Sequence, residues 1–454
     1  MDYLLLSIAL LLLFLGGWGV SQFLSPTLRP VSFVERCVLA LLLGPTVLSL
    51  ATFCWGLLLP GVAVRWPLTI LCLLLGGIGW RHSAKASVPT NPPVTWQPIL
   101  LTLSVVQLGV LSIVSHLRVL GWDGLFNFEG KARIAFLQGG IIPWQFFTDP
   151  TRLWQHPNYP LLLPLTESWL YLWLGRPDQA MLKIIGPLFF ATALGLLYLG
   201  QRMSGVRAGH MLVAPLALFG IPLLWLGDGS ASSGYADFPL AVFYLAAVIY
   251  LVEFWRTGAT ASLWLAGILA AATCWLKQEG LILWMSVMWL AACKFLATRQ
   301  WRFGLKHWSL AALPGIAILA GWRIFMRVIA QPGTEEFMPV TPGNLRDNLW
   351  RIPEIAHGVV SEMLTLRHWG VFWVLIAAAL VWLLWRRSLR EWLPLALAVL
   401  LPITAYASVY IFTLFTGHLE SSFPRLLLHV TPTATLLLAL AFEPASVDPP
   451  SPAT

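Results

Sequence analysis

Apolar runs of about 20 residues recur along almost the whole chain. An α-helix needs roughly 20 apolar residues to cross the hydrocarbon core of a bilayer. With 58% hydrophobic residues, only 11% charged residues and a mean hydropathy of +0.76, the chain is too apolar for a water-soluble domain. The sequence therefore predicts an all-α polytopic integral membrane protein, with no stretch left for a separate soluble domain.

Thirteen runs are candidate membrane spans, at residues 3–23, 37–59, 66–81, 98–118, 184–200, 209–226, 237–254, 261–275, 280–298, 309–329, 370–385, 392–415 and 425–442. A fourteenth apolar stretch, 159–175, is shorter and contains Pro160, Pro164 and Glu167. We expect this stretch to form an interfacial helix that lies along the membrane surface or re-enters it.

The positions of Lys and Arg predict the orientation of the chain. If the N-terminus lies outside and 159–175 does not span, every short basic connection falls on the cytoplasmic side: Arg29 and Arg36; Arg81 and Lys85; Arg202 and Arg207; Arg256; Arg299, Arg302 and Lys306; and Arg386, Arg387 and Arg390. If 159–175 spans, the later clusters conflict with the earlier ones. The favoured orientation predicts five non-cytoplasmic loops, at 119–158, 227–236, 276–279, 330–369 and 416–424, which hold most of the acidic residues.

Other compositional features exclude several classes of protein. The net charge of +8 is distributed in short clusters that orient a membrane protein, which disfavours a nucleic-acid partner. The first helix lacks a basic n-region and a cleavage site, so we expect it to be retained, and residues 444–454 are predicted to be disordered. The five cysteines have no CxxC pattern and are interpreted as small core residues: Cys37, Cys54, Cys72, Cys274 and Cys293.

The first outer loop carries the strongest candidate for chemistry. Asp123 follows Trp122 directly at the predicted membrane surface, where a carboxylate can hold a divalent cation or accept a proton from a nucleophile. The alternative is an N-cap for a helix that begins near Leu125. Glu129 and Lys131 follow at helical spacing, which is typical of a solvated face as often as of a site.

Three later positions add polar groups to the same predicted side. Asp237 opens a helix and is either a cap or a ligand. Lys277 and Glu279 lie between two apolar helices, where a fixed cation suits phosphate, although Lys277 could snorkel or pair with Glu279. Arg425 opens the last predicted helix with His429 one turn further on, which provides another candidate phosphate contact. No Walker loop, GxGxxG or HExxH motif accompanies them, so nucleotide use is unsupported.

Taken in order, these segments resemble the GT-C superfamily of polyprenyl-phosphate-sugar-dependent glycosyltransferases, and they are similar to the aminoarabinose lipid A transferases and protein O-mannosyltransferases. In that family a catalytic Asp lies in the first outer loop, followed by a Pro-rich segment, an Asp that opens a helix and a Lys after an apolar helix. The matching segments here are Asp123, HPNYP at 156–160, ADFPL at 236–240 and LKQEG at 276–280. The usual Lys-Pro-Pro and the Thr before the lysine are absent.

The resemblance implies an inverting transfer of a sugar from a polyprenyl-phosphate donor to a lipid, glycan or protein acceptor. Asp123 would be the general base or would orient the acceptor, and Asp237 would support it or help Asp123 to hold a divalent metal ion. Lys277, assisted by Arg425, would bind the donor phosphate. The remaining substrate-binding residues that the resemblance implies are Trp122, Glu129, Lys131, His156, Tyr159 and Glu279.

The resemblance also implies an organisation and a location. Residues 1–97 would form N-terminal spans that precede the core, 98–330 the GT-C-like catalytic core, and 331–443 an outer loop and the C-terminal spans. The protein would lie in the cell's inner membrane among its lipids, with the active site on the non-cytoplasmic face. The alternative functions are a transporter or flippase of lipid-linked material and an inactive scaffold, although we find few charges at helix centres and no internal repeat.

Overall fold

The computed structural model describes residues 1–24, 31–83, 97–206, 208–329, 336–415 and 417–442. The predicted disordered tail at 444–454, together with Arg29, Lys85 and Arg207, lies outside these ranges. Within them the chain is helical apart from loops and one isolated antiparallel bridge between Phe337 and Thr413. The prediction of an all-helical protein is confirmed.

Helices of eight residues or more are numbered here in chain order. They are α1 Asp2–Leu24, α2 Phe33–Leu58, α3 Arg65–Ser83, α4 Gln97–Leu117, α5 Gly130–Leu137, α6 Leu162–Leu174, α7 Ile185–Met203, α8 Asp237–Thr257, α9 Thr260–Leu276, α10 Gly280–Ala297, α11 Trp301–Ile329, α12 Ile352–Met363, α13 Phe372–Trp385, α14 Leu389–Val409, α15 His418–Leu428 and α16 Thr431–Ala441. Among the described residues, eight helices are long and apolar enough to cross a membrane, or nine if the bent pair α15 and α16 forms one span. The prediction of a multi-pass membrane protein agrees with this number.

The predicted span at 209–226 is wrong as a single helix. The segment consists of three short helices, Ala208–Leu212, Val213–Phe219 and Pro222–Leu226, with an interruption at Gly220 and Ile221. Ile221 has an extended backbone, because the ring of the following proline disfavours the helical conformation in the residue before it. The proline also lacks the N–H that would continue the helix.

The predicted last span at 425–442 is also wrong as a straight helix. Helix α15 ends at Leu428 and α16 begins at Thr431, with an angle of 54° between them. Pro432 lies in the first turn of α16 and has no N–H to donate to the preceding turn. Arg425 therefore lies in the last turn of α15 instead of opening the final helix, and His429 lies at the bend.

The predicted interfacial helix at 159–175 is present as α6, but the molecule places it in the interior. Every residue of α6 except Leu172 is buried, and the helix packs on α1, α2 and α5. Thirteen residues of α-helix span only about 20 Å, which is shorter than the hydrocarbon core of a bilayer. The segment is therefore a short helix covered by protein on nearly all sides, and its placement along the membrane surface or as a re-entrant helix stays a prediction.

The N-terminal helices pack directly on the predicted core. In α1, a Cβ atom added at Gly17 would lie 2.0 Å from the carbonyl oxygen of Ala40, so α1 and α2 cross in close backbone contact. Trp275 at the end of α9 donates from Nε1 to Ser49 Oγ of α2 at 3.0 Å. Helices α2, α6 and α9 therefore pack against one another in the same hydrophobic core.

The predicted outer loops meet at one end of the helix bundle, which we call the loop-rich end. The amide of Gly121 donates to the carbonyl of Ser233 at 2.8 Å, which joins the first loop to the second. The amide of Leu414 donates to the carbonyl of Glu336 at 3.0 Å, which joins the last two. Consecutive helices alternate in direction, so the loops that carry the predicted polar residues meet at this end.

Candidate functional site

Asp237 and Lys277 form a buried ion pair at the loop-rich end. Asp237 is the first residue of α8 and Lys277 immediately follows α9, so the antiparallel packing of these helices places them side by side. Lys277 Nζ donates to Asp237 Oδ1 at 2.8 Å and approaches Glu279 Oε1 at 2.9 Å. The side chains of Asp237 and Lys277 are 0% and 1% exposed, so Lys277 does not snorkel to the surface. The start of α8 has no side-chain cap hydrogen bond, so the cap interpretation of Asp237 is wrong.

Electrostatics keep Lys277 and Glu279 charged at neutral pH. Burial lowers the pKa of Lys277, but the carboxylates of Asp237 and Glu279 raise it by more, so the pKa of Lys277 lies above its usual value. Burial raises the pKa of Glu279, and the ammonium of Lys277 lowers it by more, so the pKa of Glu279 lies below its usual value. The cluster therefore presents a permanent cation inside a low-dielectric environment, where its field is strong.

Asp123 and Arg425 form a second carboxylate–cation pair at the same end. Arg425 Nη1 donates to Asp123 Oδ2, although 302 residues separate the two in sequence. Asn127 Nδ2 donates to Asp123 Oδ1 at 3.0 Å. The helix that follows Asp123 is not capped by its side chain, so the cap interpretation of Asp123 is wrong and its carboxylate serves to hold Arg425.

A single cavity of about 510 Å³ contacts both cations. Lys277 and Arg425 line it together with Glu279, and His156 and Tyr159 of the predicted Pro-rich segment also line it. Tyr159 is 5.5 Å from Lys277 Nζ, measured to its ring centroid, and burial raises the pKa of its hydroxyl, so the ring stays neutral. Five of the predicted site residues therefore share one concave surface.

Three residues that the sequence interpretation missed, Glu336, Phe337 and His418, line another part of the cavity. Glu336 lies between two imidazoles, with its Oε1 3.7 Å from His156 Nε2 and its Oε2 3.9 Å from His418 Nε2. Residues 336–338 pair with residues 412–414 through the isolated bridge and flanking hydrogen bonds, and Phe337 also lines the cavity. Only tertiary contact brings these residues together, because they come from three separate loops.

His429 and Tyr406 form the back of the site. His429 Nε2 lies 2.9 Å from Asp237 Oδ1, and His429 Nδ1 lies 3.1 Å from the hydroxyl of Tyr406. The Tyr406 hydroxyl lies 3.4 Å from the carbonyl oxygen of Glu279, and Tyr406 lines the cavity. His429 is thus bound to the Asp237 carboxylate, and it does not line the cavity as the predicted phosphate contact would.

Three other predicted substrate-binding residues lie away from the cavity. Lys131 is fully buried, and its ammonium donates to the carbonyls of His156 and Tyr159 at 3.0 and 3.1 Å. Glu129 is buried and accepts a hydrogen bond from the Tyr171 hydroxyl at 2.7 Å. Trp122 is exposed. The solvated-face interpretation of Glu129 and Lys131 is therefore wrong, and Lys131 supports the cavity wall from behind.

The burial of Lys131 predicts a pH-dependent stability. Burial lowers the pKa of Lys131 well below its usual value of 10.5, so between the two pKa values the unfolded chain binds a proton that the folded chain does not. As the pH rises through the lowered pKa towards 10.5, we expect the wild type to gain stability relative to Lys131→Met, by at most about 1.4 kcal/mol per pH unit. Denaturant titration of both proteins in detergent measures this difference, and parallel pH profiles would contradict it.

The predicted metal site at Asp123 and Asp237 has no ligand set to support it. Each carboxylate binds a different cationic side chain. Within the part of the chain that the structure describes, no group of three or more His, Cys, Asp or Glu side chains is arranged to hold a metal ion. We therefore derive no step of the chemistry through a metal.

The site combines predicted and unpredicted residues in one arrangement. Asp123, Asp237, Lys277 and Arg425 were identified from sequence, whereas Glu336, His418 and Tyr406 carry no local motif and were missed. A search of the outer loops for His and Glu near predicted helix ends could have found Glu336 and His418. Comparison with protein-family models finds no match to the chain, and neither does comparison with curated proteins or with solved structures.

Proposed function

We propose that this protein is a membrane glycosyltransferase that moves a sugar, with inversion, from a polyprenyl-phosphate-linked donor to a lipid, glycan or protein acceptor. The observation that carries the proposal is the pair of cations, Lys277 and Arg425, that line one cavity at the end of a membrane helix bundle. Each is held by its own buried carboxylate. Fixed cations of this kind stabilise the negative charge that develops on a departing phosphate.

The chemistry of the cavity fits the two parts of such a donor. Arg425 can bind two phosphate oxygens through its planar guanidinium, and Lys277 adds a point charge. Lys277 uses two of its three N–H groups on Asp237 and Glu279, so one remains for a ligand. The exposed ring of Phe415, which lines the cavity, offers an apolar surface to a sugar, while the surrounding apolar helices accommodate a lipid chain.

The proposal extends to topology and location. We propose a GT-C-like bundle with about 13 membrane helices in the cell's inner membrane and the cavity on the non-cytoplasmic face, since the basic clusters predict the opposite end to be cytoplasmic. At that opposite end, Arg256 Nη1 donates to the carbonyl of Met203 at 3.1 Å and Lys294 Nζ to that of Trp255 at 2.8 Å. In both contacts a basic side chain lies at the end of the bundle opposite the cavity, which supports the proposed orientation.

A transfer assay tests the proposal. Purified wild type and Asp123→Asn are incubated with a panel of radiolabelled polyprenyl-phosphate sugars and membrane extract, with EDTA in a parallel arm. We expect transfer by the wild type and a loss of at least tenfold in Asp123→Asn, because the amide releases Arg425 from its ion pair. Asp347→Asn, at an exposed position, serves as the matched control.

The same assay separates the alternatives. The absence of transfer with every donor, by a folded wild type, would contradict the proposal and favour a transporter or flippase of lipid-linked material. Wild-type activity in Asp123→Asn would contradict the role of the Asp123–Arg425 pair. Loss of activity in the EDTA arm would identify a metal requirement.

A further inference from the structure

Tyr406, His429 and Asp237 form a continuous chain of hydrogen bonds that starts at the cavity. Tyr406 lies on α14 and lines the cavity, His429 lies at the bend between α15 and α16, and Asp237 opens α8. The two links measure 3.1 Å from the Tyr406 hydroxyl to His429 Nδ1 and 2.9 Å from His429 Nε2 to Asp237 Oδ1. All three side chains are buried.

The chemistry of these groups gives the chain a direction. An ionised carboxylate only accepts hydrogen bonds, so the ring proton of a neutral His429 is on Nε2, which faces Asp237. This leaves Nδ1 as an acceptor for the single Tyr406 hydroxyl proton, at 3.1 Å, in preference to the Glu279 carbonyl oxygen at 3.4 Å. A hydroxyl, an imidazole and a carboxylate in this order form the arrangement in which a base activates a hydroxyl and a carboxylate orients the base.

We propose that Tyr406 passes a proton from the acceptor hydroxyl to His429 during sugar transfer, and that Asp237 holds His429 for this task. The inference rests on the glycosyltransferase function proposed above. Tyr406 is the catalytic residue that contacts the acceptor. His429 and Asp237 act through it as positioning residues, and His429 also holds the transferred proton.

The atoms balance in a single transfer step. The acceptor oxygen forms a bond to the anomeric carbon and gives its proton to the Tyr406 oxygen, while Tyr406 gives its own proton to His429 Nδ1. The bond between the anomeric carbon and the phosphate oxygen breaks, and its electron pair leaves with the phosphate, beside Lys277 and Arg425. The resulting imidazolium is stabilised by the Asp237 carboxylate, and it returns its proton through Tyr406 to the phosphate or to water.

This assignment differs from the general-base role that the sequence resemblance implied for Asp123. Among the described residues that line the cavity, Tyr406 is present and Asp123 is not. Both oxygens of Asp123 already accept hydrogen bonds, from Asn127 and from Arg425. The carboxylate of Asp123 is thus engaged in holding a cation, whereas Tyr406 is a residue of the cavity wall.

Three charged groups act on His429 at the bend. The carboxylates of Asp237 and Glu279 favour its protonation, and the ammonium of Lys277 opposes it. Since a protonated His429 cannot accept a second proton at Nδ1, acid conditions should inactivate the relay. The rate of transfer should therefore fall as the pH falls through the pKa of His429.

The test is the pH profile of transfer at saturating donor, between pH 5.5 and 9, for wild type, Tyr406→Phe and His429→Gln. We expect kcat to fall by about 10²–10⁴-fold in Tyr406→Phe, the usual contribution of general acid–base catalysis, with a donor KM within about threefold of the wild type. His429→Gln retains a donor towards Asp237 and should lose the acidic limb of the profile. Tyr244→Phe is the matched control, because Tyr244 is equally buried and donates to the Ala398 carbonyl of α14, outside the cavity.

The outcomes distinguish the relay from the proposed function. Transfer by the wild type with an unchanged profile in Tyr406→Phe and His429→Gln would overturn the relay and leave the glycosyltransferase proposal intact. A raised KM with unchanged kcat would also overturn it, because it would indicate a binding role alone. The absence of transfer by the wild type at every pH would overturn both proposals.

Discussion

Replacing Lys277 with Met is expected to destabilise the protein by about 3–5 kcal/mol and to abolish sugar transfer. The substitution leaves the Asp237 carboxylate buried without its ammonium partner, and an uncompensated buried charge has a cost of this size. His429 remains bonded to Asp237 and offsets only part of it. Denaturant titration in detergent measures the free energy of unfolding, and Lys306→Met, at an exposed position, is the control.

The double variant Lys277→Met, Asp237→Leu separates folding from function. Removing Asp237 and Lys277 together leaves only Glu279, whose side chain is 23% exposed, without the ammonium, so we expect the double variant to recover part of the lost stability. Transfer should stay abolished, because the phosphate still lacks its cation. Full stability of Lys277→Met alone, or activity in the double variant, would contradict the role assigned to Lys277.

Replacing Arg425 with Gln is expected to reduce the rate of transfer by about 10²–10³-fold, the usual cost of losing one charged contact to a developing anion. Its effect on stability should be smaller than that of Lys277→Met, because the Arg425 side chain is 22% exposed whereas that of Lys277 is 1% exposed. Arg425→Lys should recover only part of the activity, since an ammonium lacks the planar fork of a guanidinium. Transfer rates of the three proteins provide the measurement.

Arg346→Gln is the matched control for this prediction. Arg346 belongs to the same end of the molecule, and its side chain is 82% exposed and pairs only locally with Asp347. We expect its transfer rate to equal that of the wild type. Equal losses in Arg425→Gln and Arg346→Gln would indicate a general electrostatic effect and not a specific phosphate contact.

Long apolar helices could be predicted because the length of an apolar run is a local property of the chain. Helix α8 begins at Asp237, where its predicted span begins, and α6 forms within the predicted stretch at 159–175. The environment of α6 could not be predicted in this way. Its burial depends on α1 and α2, which are distant in sequence. An apolar helix can pack against lipid or against protein, and its sequence pattern does not distinguish the two.

Parts of the site were predictable for a similar reason. Lys277 and Glu279 are two residues apart, and their pairing was recognised as an alternative from sequence. The pairing of Asp123 with Arg425 was not, because only the folded bundle brings together residues 302 positions apart. Prolines explain the missed geometry of the last helix, where the break before Pro432 moves His429 away from the cavity and against Asp237.

Selective binding of a polyprenyl phosphate tests the central claim most directly, because it needs neither the sugar nor the acceptor to be known. Equilibrium binding of a short-chain polyprenyl monophosphate and of the matching polyprenol is measured on detergent-purified wild type and Arg425→Gln. We expect the wild type to bind the phosphate at least tenfold more tightly than the alcohol, and Arg425→Gln to lose most of this preference while binding the alcohol as before. Equal affinity of the wild type for both lipids, or an unchanged preference in Arg425→Gln, would contradict the assignment of this cavity to a lipid-phosphate donor.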